Sequence, residues 1–295
     1  MISQNQTGTA IHTAESRASK LSSSHYACYR DTQQSPMRSL AADVVAGMGA
    51  WRAWFSLAVL DTKHKYRRSI LGPLWITISM FVLILGVGLL YSQLFRMNLR
   101  DYLPYIALGD IIWIYISTTV QEGCTTFTAS ENLIRSMRLP LTLHCMRLVV
   151  RTFIVFLHGA IAYIPFAIYL KIEPQAIWWL AIPGVVAILL ASIPVTALFG
   201  LLSARFRDLQ PAIANFMQLG FFMTPIIWKA DMLGPHRWVA DFNPVYHFIQ
   251  LVRAPLMGEI PAAHSYWVVI GFTIGCYLVA VPFLAVNRHK ISFWV

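Results

Sequence analysis

The sequence predicts an all-α polytopic membrane protein. It would have six transmembrane helices, an N-terminal amphipathic interface helix and a re-entrant outer segment between spans five and six. Three observations lead there. First, 57% of the 295 residues are hydrophobic and 12% are charged, against about 45–50% and about 25% in soluble domains. So little charge cannot cover a water-soluble surface, and so much apolar side chain excludes disorder over most of the chain. Second, the stretches 69–95, 152–170, 174–204, 209–228 and 260–287 contain no Asp, Glu, Lys or Arg, and 103–121 contains one acid, Asp110. Each is close to or above the roughly 20 apolar residues that cross a bilayer. Third, runs such as Phe81-Val82-Leu83-Ile84-Leu85 do not alternate apolar with polar residues. A lipid-exposed barrel strand would alternate, so helices satisfy the backbone here.

The spans fall at 72–95, 103–121, 146–170, 176–203, 210–228 and 265–286. Orientation follows from Lys and Arg. The segments before span one, between spans two and three, after span four and after span six hold 17 of these residues; the other side holds six. The positive-inside rule then places both termini in the cytoplasm. The net charge of +10 reads as topology and contact with anionic lipid, not as nucleic-acid binding. No basic run interleaved with aromatics supports the latter.

Residues 1–42 are rich in Ser, Thr and Gln and read as a disordered cytoplasmic tail without a signal peptide, leaving 43–295 as the transmembrane domain. From Asp43 to Tyr66, Met48, Trp51, Trp54, Phe55 and Ala58 recur at helical spacing ahead of Lys63, Lys65, Arg67 and Arg68. This pattern suits an interfacial helix, the alternative being a soluble helix packed on a neighbour. Between spans two and three, Ser130 or Thr128 could cap a short helix that Pro140 would end. Such a helix either turns the chain or docks into a partner. The segment 230–264 is broken by Pro235, Pro244, Pro255, Pro261, Gly234 and Gly258. Asn243-Pro244 starts a helix too short to span, which fits two half-helices dipping in from the outer face.

The chemistry is sparse. No Lys is followed by Ser or Thr, so the phosphate-binding GxxxxGK[ST] loop is absent. The chain is therefore expected to be no enzyme and to bind no cofactor or metal. Cys28, Cys124, Cys145 and Cys276 have no CxxC spacing. His236 and Asp241 form a weak match to an acyltransferase motif. Asp110 and His158 are the intramembrane ionisable candidates, too few for a proton-driven transporter. Trp113 and Tyr115 lie mid-span, where they either pack or offer faces to a sugar.

The series Tyr66-Arg67-Arg68-Ser69-Ile70-Leu71-Gly72-Pro73-Leu74-Trp75, Tyr102-Leu103-Pro104-Tyr105-Ile106-Ala107-Leu108-Gly109, Arg138-Leu139-Pro140-Leu141, Arg205-Phe206-Arg207-Asp208-Leu209 and Phe242-Asn243-Pro244-Val245-Tyr246-His247 resembles the membrane permease subunit of ABC exporters for surface polysaccharides of the O-antigen, capsule and teichoic-acid type. The resemblance covers about 43–295. It implies a homodimer in the bacterial inner membrane, two copies of an ATP-binding subunit that carries ATP and Mg, and a lipid-linked polysaccharide as cargo. It also implies a coupling helix at about 126–138, with Ser130, Glu131, Arg135 and Arg138 facing the ATPase. The Leu71-Gly72 turn would lie where the glycan gains access. Trp75, Trp113 and Tyr115 are the candidates for the substrate pathway. The alternatives are a drug or lipid exporter on the same scaffold and a membrane-bound acyl or glycosyl transferase.

Overall fold

The structure, a computed structural model, describes residues 35–65, 67, 69–137 and 139–295, and these contain helices and no strands. The predicted tail at 1–42 lies mostly outside the described residues, but its boundary falls inside a helix, α1 (Pro36–Gly49). Ser35 accepts from the Arg38 amide and Pro36 occupies the first turn. This local start signal outweighs the polar composition around it. After a turn at Ala50 follows α2 (Trp51–Lys65), whose last turn carries Lys63, His64 and Lys65, favourable at a helix C-terminus.

Both helices lie against α6 (Leu141–Tyr169). They turn Leu40, Ala58 and Thr62 inward. Val44 and Met48 of α1 and Trp51 and Phe55 of α2, each pair four residues apart, form an exposed apolar stripe on their helix.

Among the described residues, five helices are long and apolar enough to cross a membrane: α3 (Leu74–Leu94), α4 (Leu99–Gly123), α6, α7 (Ala181–Arg205, preceded by a 3-10 turn over Ala176–Leu180) and α11 (Ala263–Asn287). α4 is central and touches α3, α6, α7 and the segments Leu209–Met223 and Pro244–Leu256. α3 buries one stripe, Met80, Ile84, Gly88 and Ser92, at intervals of four residues. Its other faces, including Val82, Leu83, Leu89 and Leu90, are exposed.

The fifth predicted span, 210–228, takes a different form. Helix α8 (Leu209–Met223) has 15 residues, about 22 Å at 1.5 Å per residue, short of a bilayer core of about 30 Å. Thr224-Pro225 ends it, because Pro225 cannot continue the ladder and biases Thr224 to an extended backbone. No residue of α8 is buried.

The broken segment that follows contains a 3-10 stretch at Ala230–His236 kinked at Gly234, then α9 (Trp238–Asp241) and α10 (Pro244–Leu256). Asn243 caps α10, its Oδ1 accepting from the Val245 amide at 3.0 Å. Nine of the 13 residues of α10 are buried, among them Phe248, Ile249, Leu251 and Val252. The close approach of α7 to α10 needs Gly184: a Cβ there would lie 2.7 Å from the Leu251 carbonyl oxygen. Beyond α11, a 3-10 turn at Arg288–Lys290 and α12 (Ile291–Trp294) fold back, burying Ile291 and Val295 against Leu40, Phe127 and Leu201.

Candidate functional site

The Lys- and Arg-rich end of the bundle is built around α6. Its first turn has amides without intrahelical partners, and Asp43 of α1 supplies the acceptor from outside. The Asp43 carboxylate accepts from the amides of Leu141 at 2.9 Å and Thr142 at 3.0 Å, and from the Thr142 hydroxyl at 2.7 Å. An acid is favoured at a helix N-terminus electrostatically as well. Further along, Asp61 of α2 accepts two bonds of 2.6 Å from the Arg147 guanidinium. Arg151 lies 3.7 Å from Asp61 and donates at 2.7 Å to Glu122 near the end of α4, which also lies 3.5 Å from Lys65. Five side chains thus tie α2, α4 and α6 together beside the 123–140 connection.

That connection contains a 3-10 turn at Thr128–Ser130 and a short helix, α5 (Glu131–Ser136). Ser130 is buried and precedes α5 without a side-chain capping bond; Thr128 donates to the Thr125 carbonyl instead. Pro140 does not end α5, which stops at Ser136; it precedes the start of α6. Glu131 and Arg135 pair at 3.0 Å on the exposed side. Arg135 also donates to the Val295 main-chain oxygen, and Arg288 to the Ser39 carbonyl. Arg205 lies over the Trp294 ring at 5.3 Å. The C-terminal residues therefore wedge between α5, α7 and α1. Arg138 lies outside the described residues.

Leu71 and Gly72 form the turn between α2 and α3. Gly72 has φ +56°, in the left-handed region that favours glycine, and its amide donates to Ser69 Oγ at 3.2 Å. Leu71 and Trp75 are exposed there. Trp113 and Tyr115 sit far from this turn along the chain and are buried. Tyr115 packs edge-on against Phe156, with its hydroxyl 3.0 Å from Ser192 Oγ. Trp113 packs against Phe221 of α8 at 5.8 Å. His158 is engaged structurally: its Nδ1 lies 2.8 Å from the Ile154 carbonyl.

A cluster that sequence reasoning missed holds the end of α8. The Tyr102 hydroxyl donates to the Ile227 carbonyl at 2.6 Å, and the Tyr105 hydroxyl lies 3.1 Å from the Pro225 carbonyl and 2.9 Å from that of Trp228. Arg253 of α10, 1% exposed, donates to the Pro225 carbonyl at 2.9 Å and stacks 3.9 Å over the Tyr105 ring. Non-helical backbone is thereby satisfied inside protein. The available signal was a lone Arg on the apolar stripe of α10.

Among the described residues no group of His, Cys, Asp and Glu could hold a metal ion. His236 is exposed, and no hydrogen bond joins its side chain to Asp241 among the described residues. The Asp241 carbonyl serves His247 instead, at 2.7 Å, while the other His247 nitrogen lies 2.9 Å from Ser265 Oγ.

Residues 52–257 match the family model described as ABC-2 type transporter. The chain belongs to the ABC-2 type transporter family. Curated relatives of this ABC-2 chain include two proteins of Klebsiella pneumoniae named O-antigen export system permease protein RfbA. They are 22% identical over 237 residues and 24% identical over 236, each alignment covering 79% of this chain and 90% of the relative. A protein of the same name from Myxococcus xanthus is 27% identical over 182 residues, covering 60% of this chain and 68% of the relative. The family is one of membrane transport subunits, in keeping with the apolar helices and with the absence of a GxxxxGK[ST] loop from the sequence.

Proposed function

We propose that this chain is the permease of an ABC exporter that moves lipid-linked surface polysaccharide across the bacterial inner membrane. Hydrolysis of ATP with Mg on a separate subunit would drive it. The observation that carries this reading is the family match over 52–257 together with three relatives named as O-antigen export permeases. In this reading α8 and the irregular residues after it form the fifth of six spans, and α10 is a re-entrant helix from the outer face. The exposed residues Val44, Met48, Trp51 and Phe55 lie in the lipid interface. A homodimer is supported by α8, whose Phe216, Leu219 and Met223 are all exposed. The basic end faces the cytoplasm.

Helix α5, with Glu131 and Arg135, is the coupling element that an ATP-binding subunit grips. Ser130 behind it is a positioning residue. The Asp61, Glu122, Arg147 and Arg151 network passes its displacement to α2, α4 and α6. The turn at Leu71 and Gly72 with Trp75 flanks the glycan's point of access, and Trp113 belongs to the pathway. Tyr115, with its hydroxyl on Ser192, supports that pathway from behind.

A cysteine in place of the exposed Asn132 tests the coupling assignment in membranes from the native cell. Asn132→Cys is expected to crosslink to a P-loop ATPase that co-purifies in equal amount in mild detergent. A chain that purifies alone, with no crosslinked ATPase, would remove the energy source and overturn the reading.

A further inference from the structure

A cavity of about 410 Å³ lies between α3, α4 and α8. This falls in the range of small-molecule sites. Its lining is apolar and aromatic, with Tyr91, Trp113, Phe221 and Phe222, and includes one acidic side chain, Asp110. On α4 the lining residues are Ile106, Asp110, Trp113 and Ile114. Their spacing of four, seven and eight from the first puts the carboxylate on the face turned to the cavity. Asp110 is 5% exposed, and its Oδ2 has no hydrogen-bond partner among the described residues. Asp110 stands eleven residues into α4, about 16 Å from the helix start, deeper than the predicted span boundary implied.

A buried carboxylate oxygen without a donor is costly, and a protein built only for stability would place an apolar side chain there. A hydroxyl-bearing occupant of the cavity would supply that donor. The walls say what kind of molecule fits. Trp113 and Phe221 are 5.8 Å apart, and Phe222 stands perpendicular to Phe221 at 5.4 Å. Such a wall offers ring faces to C–H groups, while the acid offers an acceptor to paired hydroxyls. A pyranose presents both on one small frame.

We infer that this cavity is a saccharide subsite. One sugar unit of the cargo donates hydroxyl hydrogens to the Asp110 carboxylate and lays its C–H face on the Trp113 and Phe222 rings. The inference rests on the export reading and adds to it a specific acceptor on the glycan path. No covalent step is involved, and the unit leaves as the chain advances.

The test uses the complete transporter in cells that make the polysaccharide. Asp110→Leu removes an unpaired buried acid, so the purified complex is expected to unfold at the same or a higher temperature. Surface glycan is expected to fall by about 10-fold or more, the loss of a hydrogen bond at the limiting site. Asp110→Asn, which keeps one acceptor, is expected to fall between. In an otherwise wild-type chain, p-benzoylphenylalanine at Leu83, another lining residue, is expected to attach periodate-reactive glycan on irradiation. Wild-type export by both Asp110 variants would overturn the subsite, as would irradiation that leaves the chain free of glycan. Increased ethidium retention in Asp110→Leu cells with unchanged glycan export would assign the cavity to organic cations and overturn it too. Chain depletion separates the two readings. If depletion leaves surface glycan intact, the export reading itself fails. If depletion removes it and the Asp110 variants do not, only the subsite fails.

Discussion

Replacing Asp61 by Asn should loosen α2 from the bundle while leaving every span in place. Asp61 accepts two bonds of 2.6 Å from Arg147, with the two side chains 19% and 18% exposed. Hydrogen bonds to charged groups contribute about 1.5–3 kcal/mol each when buried, whereas fully exposed ion pairs contribute about 0.2–1 kcal/mol. This pair is mostly shielded but not dry, so an intermediate coupling of about 2 kcal/mol is expected. That shifts the docked-to-undocked ratio of α2 by about 30-fold. Arg151 keeps Glu122 at 2.7 Å, which limits the damage to one arm of the network. Hydrogen exchange in detergent or nanodiscs should show the α2 amides exchanging about 30-fold faster, with those of α4 and α7 unchanged. A double-mutant cycle with Arg147→Gln should return the same coupling. ATP hydrolysis by the complex is expected to persist while export falls. Unchanged exchange in α2, or a cycle that closes within about 0.5 kcal/mol of additivity, would refute the claim that this pair holds α2.

Two further substitutions probe the frame. Arg253→Leu removes the bond to the Pro225 carbonyl and the stack on Tyr105, and is expected to destabilise the bundle by about 2–4 kcal/mol. A melting temperature equal to wild type would contradict the role given to the Tyr102, Tyr105 and Arg253 cluster. Asp43→Ala uncaps α6 and should cost about 1–2 kcal/mol. Faster exchange confined to the first turn of α6 and to α1 would show it, and an unaltered pattern would contradict it.

Much of the bundle was legible in the sequence because lipid imposes a simple code. The runs that became α3, α4, α6, α7 and α11 are long, apolar and almost free of charge, and each contains a helix long and apolar enough to cross a membrane. Breaks were less legible. Thr224-Pro225 cuts the fifth apolar stretch short, although the run of apolar residues continues through Trp228. Ser35-Pro36 starts a helix in a region whose composition reads as tail. Contacts across the chain left almost no local signal. Asp43 and Leu141 are 98 positions apart, and Tyr102 and Ile227 are 125 apart. Arg253 counted as one charge on the outer side, yet it is buried against Tyr105. Asp110 was visible as the one acid in its stretch, but its burial beside an aromatic wall needed α3 and α8 in position.

The most direct test of transport is where the polysaccharide goes when the chain is depleted in its native cell. The account predicts loss from the surface with accumulation of finished, lipid-linked glycan on the cytoplasmic side, reversed by restoring the chain. Loss of glycan both inside and outside would mark a biosynthetic enzyme. Surface glycan unchanged by depletion would contradict the polysaccharide cargo.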